Sequence, residues 1–170
     1  MSPDRSTPVA LETVRDSELW NELPDAEAVV AAAVVAAFAE AELKALPDAE
    51  LAVTLSDDAR VAALNGEWRD KPKPTNVLTF PAVEPDETAD APMLGDVILA
   101  FETVEREARE EGKRLSDHVS HLVVHGVLHL FGHDHLDDEE AEEMEALETR
   151  ALARLGVADP YAALDALTAD

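Results

Sequence analysis

The chain contains no cysteine. Neither disulfides nor thiolate ligands are open to it, so any metal it holds must sit on histidine nitrogen or carboxylate oxygen. Positive charge is scarce: 13 Lys and Arg stand against 38 Asp and Glu, a formal net charge of -25. That balance argues against a protein that binds nucleic acid by neutralising phosphates over a broad surface. Charges more than about 8 Å apart are largely screened at physiological ionic strength, so a small basic patch can still act on an acidic molecule. Long apolar runs are absent as well. The longest, residues 29–38, is 10 residues of mostly alanine and valine, whereas a membrane-spanning helix needs about 20. Residues 1–8 carry no apolar export core, and with the lack of cysteine this gives the expectation of a cytoplasmic protein with no membrane segment.

What is present fits one core. With 170 residues and 46% hydrophobic content, the chain is expected to form a single domain over 1–170. Residues 9–14 read as a strand, and Pro24-Asp25 opens a helix expected to run to about Leu46, before Pro47. Residues 50–55 alternate as a second strand. Ser56 is the expected N-cap of a short helix carrying Val61, Ala62 and Leu64, with Asn65-Gly66 marking its end. Two further β-like runs, 76–81 and 94–101, flank an acidic, proline-containing loop over 84–92 that is expected to be mobile, as residues 1–7 are expected to be disordered. Then come a charged helix over 102–110, a largely apolar helix from Ser116 to near Phe131, and an acidic amphipathic helix over 137–155. There is no internal repeat. The expected fold class is α+β: a small mixed sheet packed with helices, the histidine-bearing helix being too apolar to lie on the surface.

All six histidines fall between residues 118 and 135. At 100° per residue, His118, His121, His125 and His129 share a stripe about 80° wide, so each i, i+4 pair is a potential chelate. His121 and His129 are separated by about 12 Å of helical rise, too far to meet one zinc at about 2.1 Å per ligand. The pair is therefore 121/125 or 125/129. Gly132 favours the second, because glycine readily takes the left-handed conformation that ends a helix and lets His133, Asp134 or His135 fold back towards the 125/129 end. Three protein ligands and one open position make a catalytic rather than a structural zinc site. On an apolar helix, His118 and His121 read more simply as hydrogen-bonded core residues or as supports for the ligands.

The run His125-Gly-Val-Leu-His-Leu-Phe-Gly-His-Asp-His135 resembles the signature of the YbeY family, bacterial endoribonucleases that mature ribosomal RNA. Upstream, Leu64-Asn65, Trp68-Arg69 and Lys73-Pro-Thr-Asn-Val-Leu-Thr-Phe-Pro81 look like the family's other characteristic segment, and Leu94-Gly-Asp-Val97 is similar to the strand that follows. The blocks agree in order over roughly residues 50–136; the flanking helices match only in general character. Two positions depart from the family: Pro72 stands where a charged residue is usual, and His133 occupies a variable position.

The resemblance implies one zinc ion per chain on His125, His129 and His135, with Arg69 handling RNA. It further implies a single-strand-specific endoribonuclease acting at the 3' end of 16S rRNA and in ribosome quality control, with the small ribosomal subunit and its proteins as partners. Lys71 and Lys73 are candidate phosphate contacts, and solvated loop lysines otherwise. A guanidinium holds two phosphate oxygens at once, which suits Arg69 to positioning and charge stabilisation. Asp134 is the nearest carboxylate for a catalytic role, and equally a cap for the turn after Gly132. Two other classes stay open: a zinc peptidase, and a non-catalytic ribosome-assembly factor with structural zinc. Zinc proteases of the His-Glu-x-x-His type place a glutamate directly after the first histidine, and that position here is Gly126.

Overall fold

The computed structural model describes residues 7–69, 75–133 and 137–160, the side chains of Trp68 and Arg69 excepted. Four strands, β1 (Ala10–Arg15), β2 (Glu50–Ser56), β3 (Val77–Pro81) and β4 (Met93–Ala100), form one sheet in the order β1-β2-β4-β3. β1, β2 and β4 run parallel; β3 is an antiparallel edge strand. Alternation along β2 and β4 sends Leu51, Val53, Leu55, Val97 and Leu99 into the core, as the two-residue period of a strand requires. Helices α1 (Ala26–Glu40), α3 (Phe101–Glu110), α4 (Leu115–Leu130) and α5 (Asp138–Arg154) build the layer on that face. On the other face lies α2 (Asp58–Arg69), where Val61 and Leu64 pack with Leu78, Phe80, Ile98 and Ala100. The fold is α+β with a mixed four-stranded sheet, as the sequence leads one to expect.

Helix α4 touches α1, α3, α5, β3 and β4, which is why it is apolar nearly all round. Such a helix cannot solvate stray polar groups, so each of its histidines must find a partner or a cleft.

Three boundaries differ from expectation. Helix α1 stops at Glu40 rather than near Leu46: Glu42 takes a left-handed φ of 51°, and the Leu43 amide bonds back to the Phe38 carbonyl at 3.1 Å, closing a Schellman turn. Helix α2 does not end at Asn65-Gly66 but continues to Arg69. Packing of Val61 and Leu64 outweighs the roughly 1 kcal/mol that one helical glycine costs. The cap of α2 is Asp57, whose carboxylate accepts from the Arg60 amide at 2.9 Å. Ser56 is instead fully buried; its hydroxyl donates to Asp16 and its carbonyl accepts from the Trp20 indole. Within the acidic segment 84–92, Pro85–Asp90 wind into a short 3-10 helix with Thr88 buried.

Glu42 occupies a position where glycine carries no steric penalty. A left-handed non-glycine residue costs roughly 1–2 kcal/mol, partly offset in the glycine variant by extra unfolded-chain entropy. Glu42→Gly is therefore expected to stabilise the fold by about 0.5–1 kcal/mol, read as a higher midpoint in urea at unchanged slope. A lower midpoint would contradict this account of the α1 terminus.

Candidate metal centre

The C-terminal end of α4 closes as the glycine signal predicts. Gly132 has φ 95°, its amide bonds the His129 carbonyl at 3.0 Å, and the His133 amide reaches the Leu128 carbonyl at 3.0 Å. These are the two bonds of a Schellman motif, and they turn the chain back at the 125/129 end of the helix. A Cβ on Gly132 would come within 2.7 Å of Pro85, so the position is closed to larger residues by space as well as by φ.

Along the helix, the histidines divide by partner. His118 is 4% exposed, and its Nε2 lies 2.9 Å from Glu107 Oε1 on α3, the oxygen that also accepts from Asn76 Nδ2 at 3.0 Å. Burial pushes its pKa down, against the opposing pull of Glu107. It is the hydrogen-bonded core residue that its setting implies. His121 Nε2 and His125 Nδ1 both meet Glu148 Oε1 on α5, at 2.9 and 3.2 Å. Glu148 is 1% exposed. Its burial alone would raise its pKa, but hydrogen bonds from His121 and His125 prevail and hold it at about 2.

His125 and His129 stand side by side. Their rings are stacked, 6° from parallel with centroids 6.4 Å apart, and with Val77, Leu78 and Thr79 they line a cleft of about 110 Å³ against the edge strand β3. The structure thus brings together the i, i+4 pair selected by reach. Asp134, His135, Lys71 and Lys73 lie outside the described residues, as does the Arg69 side chain, although the Arg69 backbone ends α2 beside the segment leading into β3. Among the described residues no group of three or more histidine and carboxylate side chains is poised to hold a metal ion. The two imidazoles nonetheless suit zinc, a borderline ion that takes histidine nitrogen readily. A larger cavity of about 670 Å³ opens on the opposite, α2 face of the sheet, lined by Asp16, Arg60, Phe80, Asp96 and neighbours but by no histidine.

Gly126 faces the sheet. A Cβ there would lie 2.9 Å from Val97 Cγ1 and 3.4 Å from Thr79 Cγ2. A glutamate after the first histidine is therefore excluded sterically as well as by sequence. Glu107 and Glu148 are the residues that sequence reasoning missed. Glu148 had a legible signal: with Met144 and Leu152 it forms an i, i+4 stripe, the buried face of α5, and a carboxylate in such a stripe calls for a partner.

A model of the family described as Endoribonuclease YbeY matches residues 15–156. The chain belongs to the YbeY family. Similar proteins bearing the name Endoribonuclease YbeY include one from Bradyrhizobium diazoefficiens, 54% identical over 86% of this chain and 81% of its own. Another, from Rhodopseudomonas palustris, is 54% identical over 93% of both chains, and one from Paramagnetospirillum magneticum is 54% identical over 84% of this chain and 89% of its own. None of the helices among the described residues is long and apolar enough to cross a membrane.

The Gly126 contact makes a prediction about this YbeY chain. Gly126→Ala gains about 1 kcal/mol of helix propensity but overpacks Val97, at a typical cost of 1–3 kcal/mol. We expect a net destabilisation of about 1 kcal/mol, relieved when Val97→Ala is added, and a loss of more than about 3 kcal/mol for Gly126→Glu, which buries a charge. Additive single and double variants in urea unfolding would show that α4 does not rest on Val97.

Proposed function

We propose that this chain is a zinc-dependent endoribonuclease that cleaves single-stranded RNA in the cytoplasm, acting at the 3' end of the 16S rRNA precursor and in ribosome quality control. One zinc ion per chain would be held by His125, His129 and His135. The observation that carries this reading is the parallel His125–His129 pair lining a cleft in a chain of the YbeY family, whose similar members are named endoribonucleases.

When bound, zinc supplies Lewis acidity towards phosphoryl oxygens and towards water. The chain's own groups do the rest. Arg69 would hold the scissile phosphate through paired N–H donors and stabilise the charge that builds on it, and Lys71 and Lys73 would contact neighbouring phosphates. Asp134 would accept a proton or orient a ligand histidine. The small ribosomal subunit and its proteins would supply affinity that so acidic a chain lacks. A peptidase reading is weakened by the steric closure of position 126.

Metal-analysed protein incubated with labelled single-stranded RNA and, separately, with casein tests the assignment. RNA cleavage and about one zinc per chain are expected; casein cleavage, or neither activity with tightly held zinc, would favour the peptidase or the assembly factor. His129→Ala should lose the metal. His118→Ala, which removes the Glu107 and His121 contacts but no proposed ligand, should keep it. Arg69→Ala should retain zinc and slow single-turnover cleavage on the order of a hundredfold, and a rate within about threefold of the parent would end the phosphate-clamp role.

The same three cations set the salt dependence of RNA binding. Each single-strand phosphate neutralised contributes about -0.7, so the slope of log affinity on log salt is expected near -2. A slope of -5 or steeper would reveal a basic surface beyond residues 69–73.

A further inference from the structure

We infer that Glu148 is a positioning residue for the metal centre: its Oε1, shared by His121 Nε2 at 2.9 Å and His125 Nδ1 at 3.2 Å, fixes the tautomer of His125 and leaves Nε2 as the coordinating nitrogen. This rests on the assignment of His125 as a ligand.

The chemistry of the donors leads there. A carboxylate only accepts hydrogen bonds, so His125 must present Nδ1–H to it, and the proton is thereby kept off Nε2. His121 meets the same oxygen from the preceding turn of α4, so the carboxylate is braced by two imidazoles rather than one. Its location makes a purely architectural role a poor explanation. Glu148 sits between Met144 and Leu152 on the buried face of α5, where a leucine would fill the stripe without desolvating a charge. What the carboxylate does there, and leucine would not, is direct two histidine rings. Carboxylates behind metal-bound imidazoles raise ligand basicity and hold the ring plane, and their loss typically weakens metal binding 10–100-fold.

The test uses the full chain and two variants, Glu148→Leu and Glu148→Gln. Long-range proton–nitrogen correlations of the histidine rings, recorded before and after zinc loading, report the tautomer; competition with a chelating dye reports zinc affinity; thermal melting of the metal-free forms reports the fold. Wild type should show His125 protonated on Nδ1 without metal. Glu148→Gln keeps an acceptor oxygen and should keep that tautomer, with zinc affinity reduced less than 10-fold. Glu148→Leu, which strands His121 Nε2 and His125 Nδ1, should melt somewhat lower than wild type when metal-free but stay folded, lose the tautomer preference and bind zinc 10–100-fold more weakly. The proposal is overturned if metal-free wild type carries the His125 proton on Nε2, a result that needs no variant to fold. It is equally overturned if folded Glu148→Leu binds zinc within threefold of wild type. If His129→Ala leaves zinc binding unchanged, the metal assignment itself fails, and that outcome is separate from the tautomer measurement.

Discussion

Helix α4 lies as close to the sheet as it does because residue 126 has no side chain. A Cβ there would come 2.9 Å from Val97 Cγ1 and into contact with Thr79, so a larger residue would press the helix outward. From this one close approach follows the geometry of the site: with Gly126 against β4 and β3, its neighbours on the adjacent face, His125 and His129, are carried to the edge of the sheet, where Val77 and Thr79 close one wall of the cleft. A helix held further out would leave the two imidazoles on an open surface, where water competes for every interaction they make. The contact thus links a packing constraint of the core to the dielectric setting of the histidines.

Seating a histidine-rich helix in the middle of an apolar layer creates a second requirement, that its ring nitrogens be answered from outside the helix. Two carboxylates do this from opposite sides, Glu107 from α3 and Glu148 from α5. Each is shared. Glu107 also receives Asn76 just before β3, so the α3–α4 contact also holds the start of that strand. Glu148 ties two turns of α4 to α5, and α5 is in turn anchored to α1 by Arg150 and Arg154 on Glu40. Those exposed ion pairs contribute little individually; the buried histidine–carboxylate contacts are the ones whose loss strands a polar group.

Much of this was legible from residue patterns because it depends on local chemistry. The i, i+4 spacing narrowed the choice to 121/125 or 125/129, and Gly132, which marked the turn, favoured the second, since both follow from helix geometry and backbone sterics alone. The failures share a different cause. Asn65-Gly66 is a local stop signal overridden by packing of Val61 and Leu64 on the sheet. Helix α1 ends at Glu40 and its closing left-handed turn falls on Glu42, a residue with no intrinsic left-handed preference, because the buried stripe of that helix runs out after Phe38. Ser56 looked like a cap but was drawn into the core by Asp16 and Trp20, 40 and 36 residues away in sequence. Glu148 differs from Glu139, Glu142, Glu143 and Glu145, which face solvent, in sharing the buried stripe of Met144 and Leu152; the stripe is legible in sequence, but its histidine partners on α4 emerge only with the tertiary structure.

The distribution of cations bears on how so acidic a chain could engage a polyanion. Among the described residues, Arg15, Arg106, Arg109, Lys113, Arg150 and Arg154 each lie against a carboxylate, so their fields are largely cancelled within a few ångströms. Along the whole sequence, the stretch 69–73 gathers Arg69, Lys71 and Lys73 within five residues, next in the chain to the strand that walls the cleft. Meanwhile the exposed face of α5 carries Asp138, Glu139, Glu140, Glu142, Glu143 and Glu145, a negative surface on the helix that backs His121 and His125. A phosphate chain approaching the α5 face is repelled, whereas Lys44, Arg60 and Arg114 carry positive charge on other parts of the described chain, Arg60 at the cavity on the α2 face. On the proposed reading, the net negative charge suppresses the non-specific RNA binding that a basic protein of this size would show, and leaves binding to local contacts.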